Sequence, residues 1–196
     1  MKFYIADTHF DHYNILALDH RPFFTIEEMN KTIIDNWNSV VGHDDEVFIL
    51  GDFCWGKEAR WIELLEQLNG QKTLITGNHD IKPNKCRRYF VDVKEKKTIK
   101  DGERKIVLCH EPIPCFRNHF YGWFHLYGHV HTSFEFNMME HDRYLMEQLY
   151  EKPCEMYNVG CMLPYMNYTP RTLDQIIEGY AAWKEFTAGV KKSNEA

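Results

Sequence analysis

Five short segments carry side chains of the kinds that hold divalent metal ions: Asp7-Thr8-His9, Gly51-Asp52, Gly77-Asn78-His79-Asp80, His110 and Gly128-His129-Val130-His131. A mixed set of carboxylate, amide and imidazole donors suits hard or borderline ions such as Mn, Fe, Zn, Ni or Mg. The lack of a thiolate in the set argues against a purely structural zinc site. Each segment alone has an ordinary reading. A histidine at a strand end is usually hydrogen-bonded structure, Gly-Asp is usually a turn, and Gly-Asn-His-Asp makes a serviceable polar loop. What points to a metal site is their joint occurrence, each directly after an apolar run.

Those runs must be the elements that position the ligands. Lys2–Ala6, Glu46–Leu50, Lys72–Thr76, Arg104–Cys109 and Phe124–Tyr127 have the length and composition of buried strands, and Met156–Val159 adds another. Tyr89–Val93 and Lys96–Ile99, with a turn at Asp101-Gly102, read as further, more exposed strands. In α/β sheets the edge outside the strand carboxyl ends is where sites form. In Asp7-x-His9 and His129-x-His131, two-residue spacing would put both side chains on one side of an extended backbone. Gly51, Gly77 and Gly128 stand just before candidate ligands, where the chain must turn sharply or approach an ion closely.

Amphipathic helices are expected near 12–19, 25–39, 57–68, 141–150 and 172–185. The second opens on Thr25 with Glu28 three residues on, and the third stops at Asn69-Gly70. Alternating strands and helices imply an α/β fold. At 196 residues, with 44% hydrophobic and 15% aromatic residues, the chain suffices for one core and one domain over 1–196, with no insertion long enough for a large cap. The six cysteines form no C-x-x-C pair and read as free, buried thiols. No run is long enough to span a bilayer and the N-terminus lacks a signal-peptide pattern, so a cytoplasmic location is expected. The net charge of −6 disfavours a broad nucleic-acid footprint, although two bound divalent ions would invert the local field. His20, His43, His119, His125 and His141 fall outside the pattern and read as ordinary residues.

The five segments, in this order, resemble the blocks of the calcineurin-like metallophosphoesterase superfamily: D-x-H, G-D, G-N-H-D or E, a lone H, and G-H-x-H. Asp7-Thr8-His9-Phe10, Asn14-Ile15 and Arg21-Pro22-Phe23 are similar to its small, uncharacterised bacterial and phage members, and Tyr157-Asn158-Val159-Gly160 to the family's closing strand. One departure is Cys109 before His110, where the family often has Gly or Ser.

The resemblance implies a four-layer α/β/β/α sandwich of two mixed sheets flanked by helices. It implies one metal on Asp7, His9, Asp52 and His131, and a second on Asp52, Asn78, His110 and His129, with Asp52 bridging. Manganese or an iron–manganese pair is the first expectation, with zinc, nickel or magnesium as alternatives. His79 would act on the phosphate or the leaving oxygen without binding metal, and Asp80 would hydrogen-bond His79 and support its charge. Two cations about 3.5–4 Å apart would share a hydroxide that attacks a phosphate ester in line. The expected partner is a phosphate-ester substrate, a nucleotide or nucleic-acid end among the options. An open site favours diesters; a phosphomonoesterase, a nuclease and a non-catalytic module that keeps the fold are the alternatives. His12 is a candidate substrate contact or a first-turn helix residue beside an Asp11 cap. Arg21 is a candidate phosphate fork or the partner of an acidic helix.

Overall fold

The computed structural model describes residues 1–194. Strands β1 (Lys2–Ile5), β2 (Glu46–Leu50), β3 (Gln71–Ile75) and β4 (Phe90–Lys94) form one sheet in that order, all parallel. Strands β5 (Lys96–Asp101), β6 (Arg104–Cys109), β7 (Phe124–Tyr127) and β8 (Met156–Asn158) form the second. Here β5 pairs antiparallel with β6 across the Asp101-Gly102 turn, while β6, β7 and β8 run parallel. The mixed character therefore resides in the second sheet.

Alternation along the strands builds two cores. Tyr4, Phe48, Leu50 and Ile75 point from the first sheet towards Ile106, Leu108 and Leu126 of the second. Phe3, Ile5, Val47, Ile49 and Leu74 point the other way, onto helices α2 (Ile26–Val40) and α3 (Glu58–Gln67). With both faces covered, the parallel strands read as unbroken apolar runs. The Thr25 hydroxyl accepts from the Glu28 amide at 3.1 Å, so α2 begins where its capping pair says it should. Helix α4 (Phe134–Tyr150) and α5 (Leu173–Asn194) belong to the second sheet's side, where Phe136, Met146, Leu173, Ile176 and Tyr180 enter the core. The layers are α/β/β/α. No helix among the described residues is long and apolar enough to cross a membrane.

Four local expectations need correction. The helix expected at 12–19 is one turn, α1 (Ile15–Leu18). Asp11 is left-handed at φ 61° and caps nothing; its carboxylate instead takes the Arg60 guanidinium at 2.6 Å and the Asn30 amide at 2.5 Å. The helix expected at 141–150 begins at Phe134, where the Ser133 hydroxyl accepts from the Glu135 amide. Cys115 is exposed, whereas the other cysteines are buried free thiols.

The two sheets meet beside β1. The Ala6 amide donates to the Val159 carbonyl at 2.8 Å, and the Cys161 amide to the Ala6 carbonyl at 2.9 Å. That seam brings the carboxyl ends of both sheets to one edge.

His125 on β7 is a structural residue. Its Nδ1 faces the Val107 carbonyl at 3.0 Å, and Nε2 accepts from the Ile113 amide at 3.0 Å. Burial drives its pKa down to about 4, so the native ring stays neutral while the unfolded ring gains a proton below about 6.5. The unfolded state therefore binds more protons between those values, and this contribution to stability is lost as pH falls from about 6.5 to about 4. His125→Gln should lower the melting temperature at pH 7, by an amount reflecting about 1–3 kcal/mol of disturbed buried hydrogen bonding. It should also lose less stability than wild type on acidification through that window. Parallel pH profiles would contradict the assignment.

Candidate metal centre

Hydrogen bonds between β1 and β2 continue past the strand ends into the site. The Asp7 amide donates to the Gly51 carbonyl at 3.1 Å, His9 to Asp52 at 2.9 Å and Phe10 to Phe53 at 2.9 Å. The Thr8 hydroxyl donates to the Phe53 carbonyl at 2.8 Å. Within this frame the backbone is left-handed at Asp7 (φ 55°), His9 (47°), Asp52 (51°), His129 (71°) and His131 (48°). The reason expected for the D-x-H and H-x-H spacing, an extended chain, does not hold. The side chains converge because the backbone is bent at each of these residues, at a cost of order 1–3 kcal/mol apiece.

Asp7, His9, Asp52 and His131 each offer a donor atom, and all four lie within 4.8 Å of one another. The Nε2 atoms of His9 and His131 are 3.3 Å apart. Beside them, Asn78 Oδ1 is 3.1 Å from His110 Nε2 and 3.0 Å from His129 Nδ1. One atom joins the two groups: Asp52 Oδ2 stands 3.5 Å from His9 Nε2 and 3.5 Å from His110 Nε2. The other oxygen of Asp52 is occupied, accepting from the His79 amide at 3.0 Å. His110 Nδ1 sits 2.7 Å from the Leu50 carbonyl, which places the ring proton there and leaves Nε2 free as a donor to metal.

Glycine is required at the closest approaches. A Cβ on Gly77 would lie 2.3 Å from Asp52 Oδ1, and one on Gly128 would lie 2.6 Å from the Ala6 side chain and 2.7 Å from Asp7 Oδ2.

The electrostatics fit cations. Asp7 is fully buried, and desolvation raises its pKa despite the His131 and His110 rings. Burial also raises Asp52, but His110 and His9 outweigh it and hold the carboxyl well below its usual range. Burial and the neighbouring His131 push His9 down to about 2, so its ring is neutral and its lone pair available. Burial pulls His110 down, yet Asp52 and Asp7 lift it to about 9. His110 thus stands between two buried carboxylates, Asp7 and Asp52, at the position bound cations would electrically satisfy.

Other candidates fall in different places. His79 is exposed at the mouth, its ring 6.1 Å from that of His9 and 5.1 Å from that of Trp55. Asp80 does not support the His79 ring. It accepts from the backbone amides of Gly77 at 2.8 Å, Asp52 at 3.1 Å and Phe53 at 2.8 Å, pinning the turn after β3 to the turn after β2. Its burial raises the carboxyl to about 6, against the pull of those amides. His12 lies on the cleft wall, with Nδ1 3.2 Å from His9 Nδ1 and its ring stacked on Trp55 at 4.2 Å. Arg21 is not a phosphate contact. Only 5% exposed, it donates to the Asp7 carbonyl at 2.8 Å, the Thr8 carbonyl at 3.0 Å and Asp19 at 3.0 Å.

Sequence reasoning missed Asp19, whose Oδ2 lies 3.2 Å from His131 Nδ1. A carboxylate just past a short helix carries no metal-ligand signature, so nothing in the spacing marks it.

The model of the calcineurin-like phosphoesterase family matches residues 3–154. The chain belongs to that family. An uncharacterised protein of Methanocaldococcus jannaschii, MJ1445, is 36% identical over 178 residues, covering 89% of this chain and 88% of its own. The gene 66 protein of Mycobacterium phage L5 is 36% identical over 80 residues, 39% of this chain and 38% of that protein. Among solved structures, the protein of unknown function AQ665 from Aquifex aeolicus is 25% identical, with a TM-score of 0.70 over 91% of this chain and 98% of that one. Family membership makes this a metal-dependent phosphoester hydrolase, and the donor cluster suits divalent ions.

Mn²⁺ at about 100 times its Kd should stabilise wild type by about 2.7 kcal/mol, and EDTA should reverse this in thermal unfolding. Gly77→Ala, which drives a methyl into Asp52, should lose most of that increment. An increment equal to wild type would show that the Gly77–Asp52 contact does not shape the site.

Proposed function

We propose that this phosphoesterase uses two divalent cations bridged by Asp52 and acts on phosphodiesters. The observation that carries this reading is the position of Asp52 Oδ2, 3.5 Å from a histidine of each donor group. Asp7, His9, Asp52 and His131 would hold one ion; Asp52, Asn78, His110 and His129 would hold the other. Manganese or an iron–manganese pair suits these donors, as would zinc, nickel or magnesium. When bound, such ions polarise phosphoryl oxygens and lower the pKa of water enough to supply a nucleophile at neutral pH.

The chain's own groups supply positioning and a proton. Asp80 holds the turn bearing Asn78 and His79 against the turn bearing Asp52, so a substrate meets a fixed set of donors. The exposed His79 ring at the mouth can donate a hydrogen bond to a phosphoryl oxygen or a proton to the leaving oxygen. His12, beside His9 on the same wall, is placed to meet the ester's substituent.

The diester preference rests on the cleft's openness. It has a volume of about 460 Å³, and its lining includes His12, Ile15, Leu18 and His20 together with Thr132, Ser133 and Glu135. These residues come from segments beside the strand ends, and a cleft lined in this way would admit a second substituent on the phosphate.

With Mn²⁺ present, an aryl phosphodiester should turn over faster than the matching monoester; the reverse order overturns the diester preference. Asp52→Asn should abolish activity and metal retention together. His79→Ala should reduce kcat by about 10²–10⁴-fold while metal content stays at the wild-type level. Undiminished turnover in His79→Ala would remove its assigned role.

A further inference from the structure

Arg21 and Asp19 lie beneath the site, with side chains 0% and 2% exposed. A buried ion pair recovers its desolvation cost only when further hydrogen bonds complete it. Apart from one contact from Arg21 Nη1 to Met29 Sδ at 3.4 Å, the remaining bonds of this pair run towards the metal centre. Arg21 donates to the carbonyls of Asp7 and Thr8, across the left-handed turn that presents Asp7 and His9. Asp19 Oδ2 accepts from Arg21 Nε at 3.0 Å and faces His131 Nδ1 at 3.2 Å, while Oδ1 accepts from the Thr132 hydroxyl at 3.3 Å. On the opposite side of the same ring, His131 Nε2 faces His9 Nε2 at 3.3 Å and Asp7 Oδ1 at 3.9 Å.

We infer that Asp19, held in place by Arg21, is a positioning residue that fixes the His131 ring and its tautomer for metal binding. This rests on the two-cation reading above and deepens it. With Nδ1–H directed at Asp19, the lone pair of Nε2 is directed into the donor cluster. The carboxylate also makes the imidazole a stronger donor than a neutral acceptor would. The two histidines of this group are thereby backed differently: His9 has a second imidazole, His12, behind its Nδ1, and His131 has a buried charge. Because Arg21 also grips the Asp7 and Thr8 carbonyls, one guanidinium links the backbone that carries Asp7 to the carboxylate that orients His131.

The test uses the full chain and Zn²⁺, with affinity read by competition against a chromophoric chelator and not by turnover. Asp19→Asn keeps the shape and an acceptor but removes the charge, and Asp19→Ala removes both. Metal-free unfolding temperatures identify which variants are folded. Folded Asp19→Asn should bind Zn²⁺ at least about tenfold more weakly, and Asp19→Ala up to about 100-fold. A folded Asp19→Ala whose affinity falls less than tenfold overturns the inference. If neither variant folds, the tautomer in wild type decides. Two-bond ¹H–¹⁵N spectra of the Zn²⁺-loaded protein should show His131 protonated at Nδ1, and a proton on Nε2 overturns the inference. Failure of wild type itself to bind Zn²⁺ or Mn²⁺ overturns the two-cation reading and this one with it. Wild-type binding with an unaffected Asp19→Ala overturns only this one.

Discussion

Two carboxylates, Asp7 and Asp52, are buried in one nest of imidazoles, and the rest of the site is arranged around that charge. Buried carboxylates require positive charge or several hydrogen bonds. Here the backbone contributes part of this. The His129 amide lies 3.1 Å from each oxygen of Asp7, and the His79 amide donates to Asp52. His110 and His9 stand beside Asp52, and His110 and His131 beside Asp7, where the proposed cations would carry the rest of the positive charge. Divalent cations would add the positive charge that two buried carboxylates set among neutral donors call for.

Presenting those groups costs backbone strain at Asp7, His9, Asp52, His129 and His131. The structure offsets it with ladder hydrogen bonds that run on beyond β1 and β2, with Asp80 tying two turns together, and with Arg21 holding the Asp7 and Thr8 carbonyls. The sheet seam at Ala6 and Val159 then sets the distance between donor side chains of the first sheet and those after β7. Rigid strands supply direction, and bent residues at their ends supply convergence.

Much of this was legible in the sequence because its signals are local. Apolar runs ending in ligand-type residues marked the strands and the site edge, and Thr25 with Glu28 marked the start of α2. The illegible parts depend on contacts distant in sequence. Arg21 reads as a phosphate fork until its burial under the Asp7 turn is seen. Asp80 reads as the partner of its neighbour His79, whereas its oxygens reach amides 27 and 28 residues away as well as that of Gly77. The early start of α4 was hidden because Phe134 is exposed while Arg143 is buried, blurring the amphipathic stripe. The i, i+2 spacing suggested convergence on an extended backbone, whereas Asp7, His9, His129 and His131 are left-handed, a conformation the spacing does not reveal.

The central claim is that Asp52 joins two cation sites. The most direct measurement is crystallographic: anomalous scattering at the manganese edge from the Mn²⁺-loaded protein. Two peaks per chain should appear, both within coordination distance of Asp52 Oδ2, one on the His9 and His131 side and the other on the Asn78, His110 and His129 side. A single peak at full loading, or two peaks that do not share Asp52, would contradict the account.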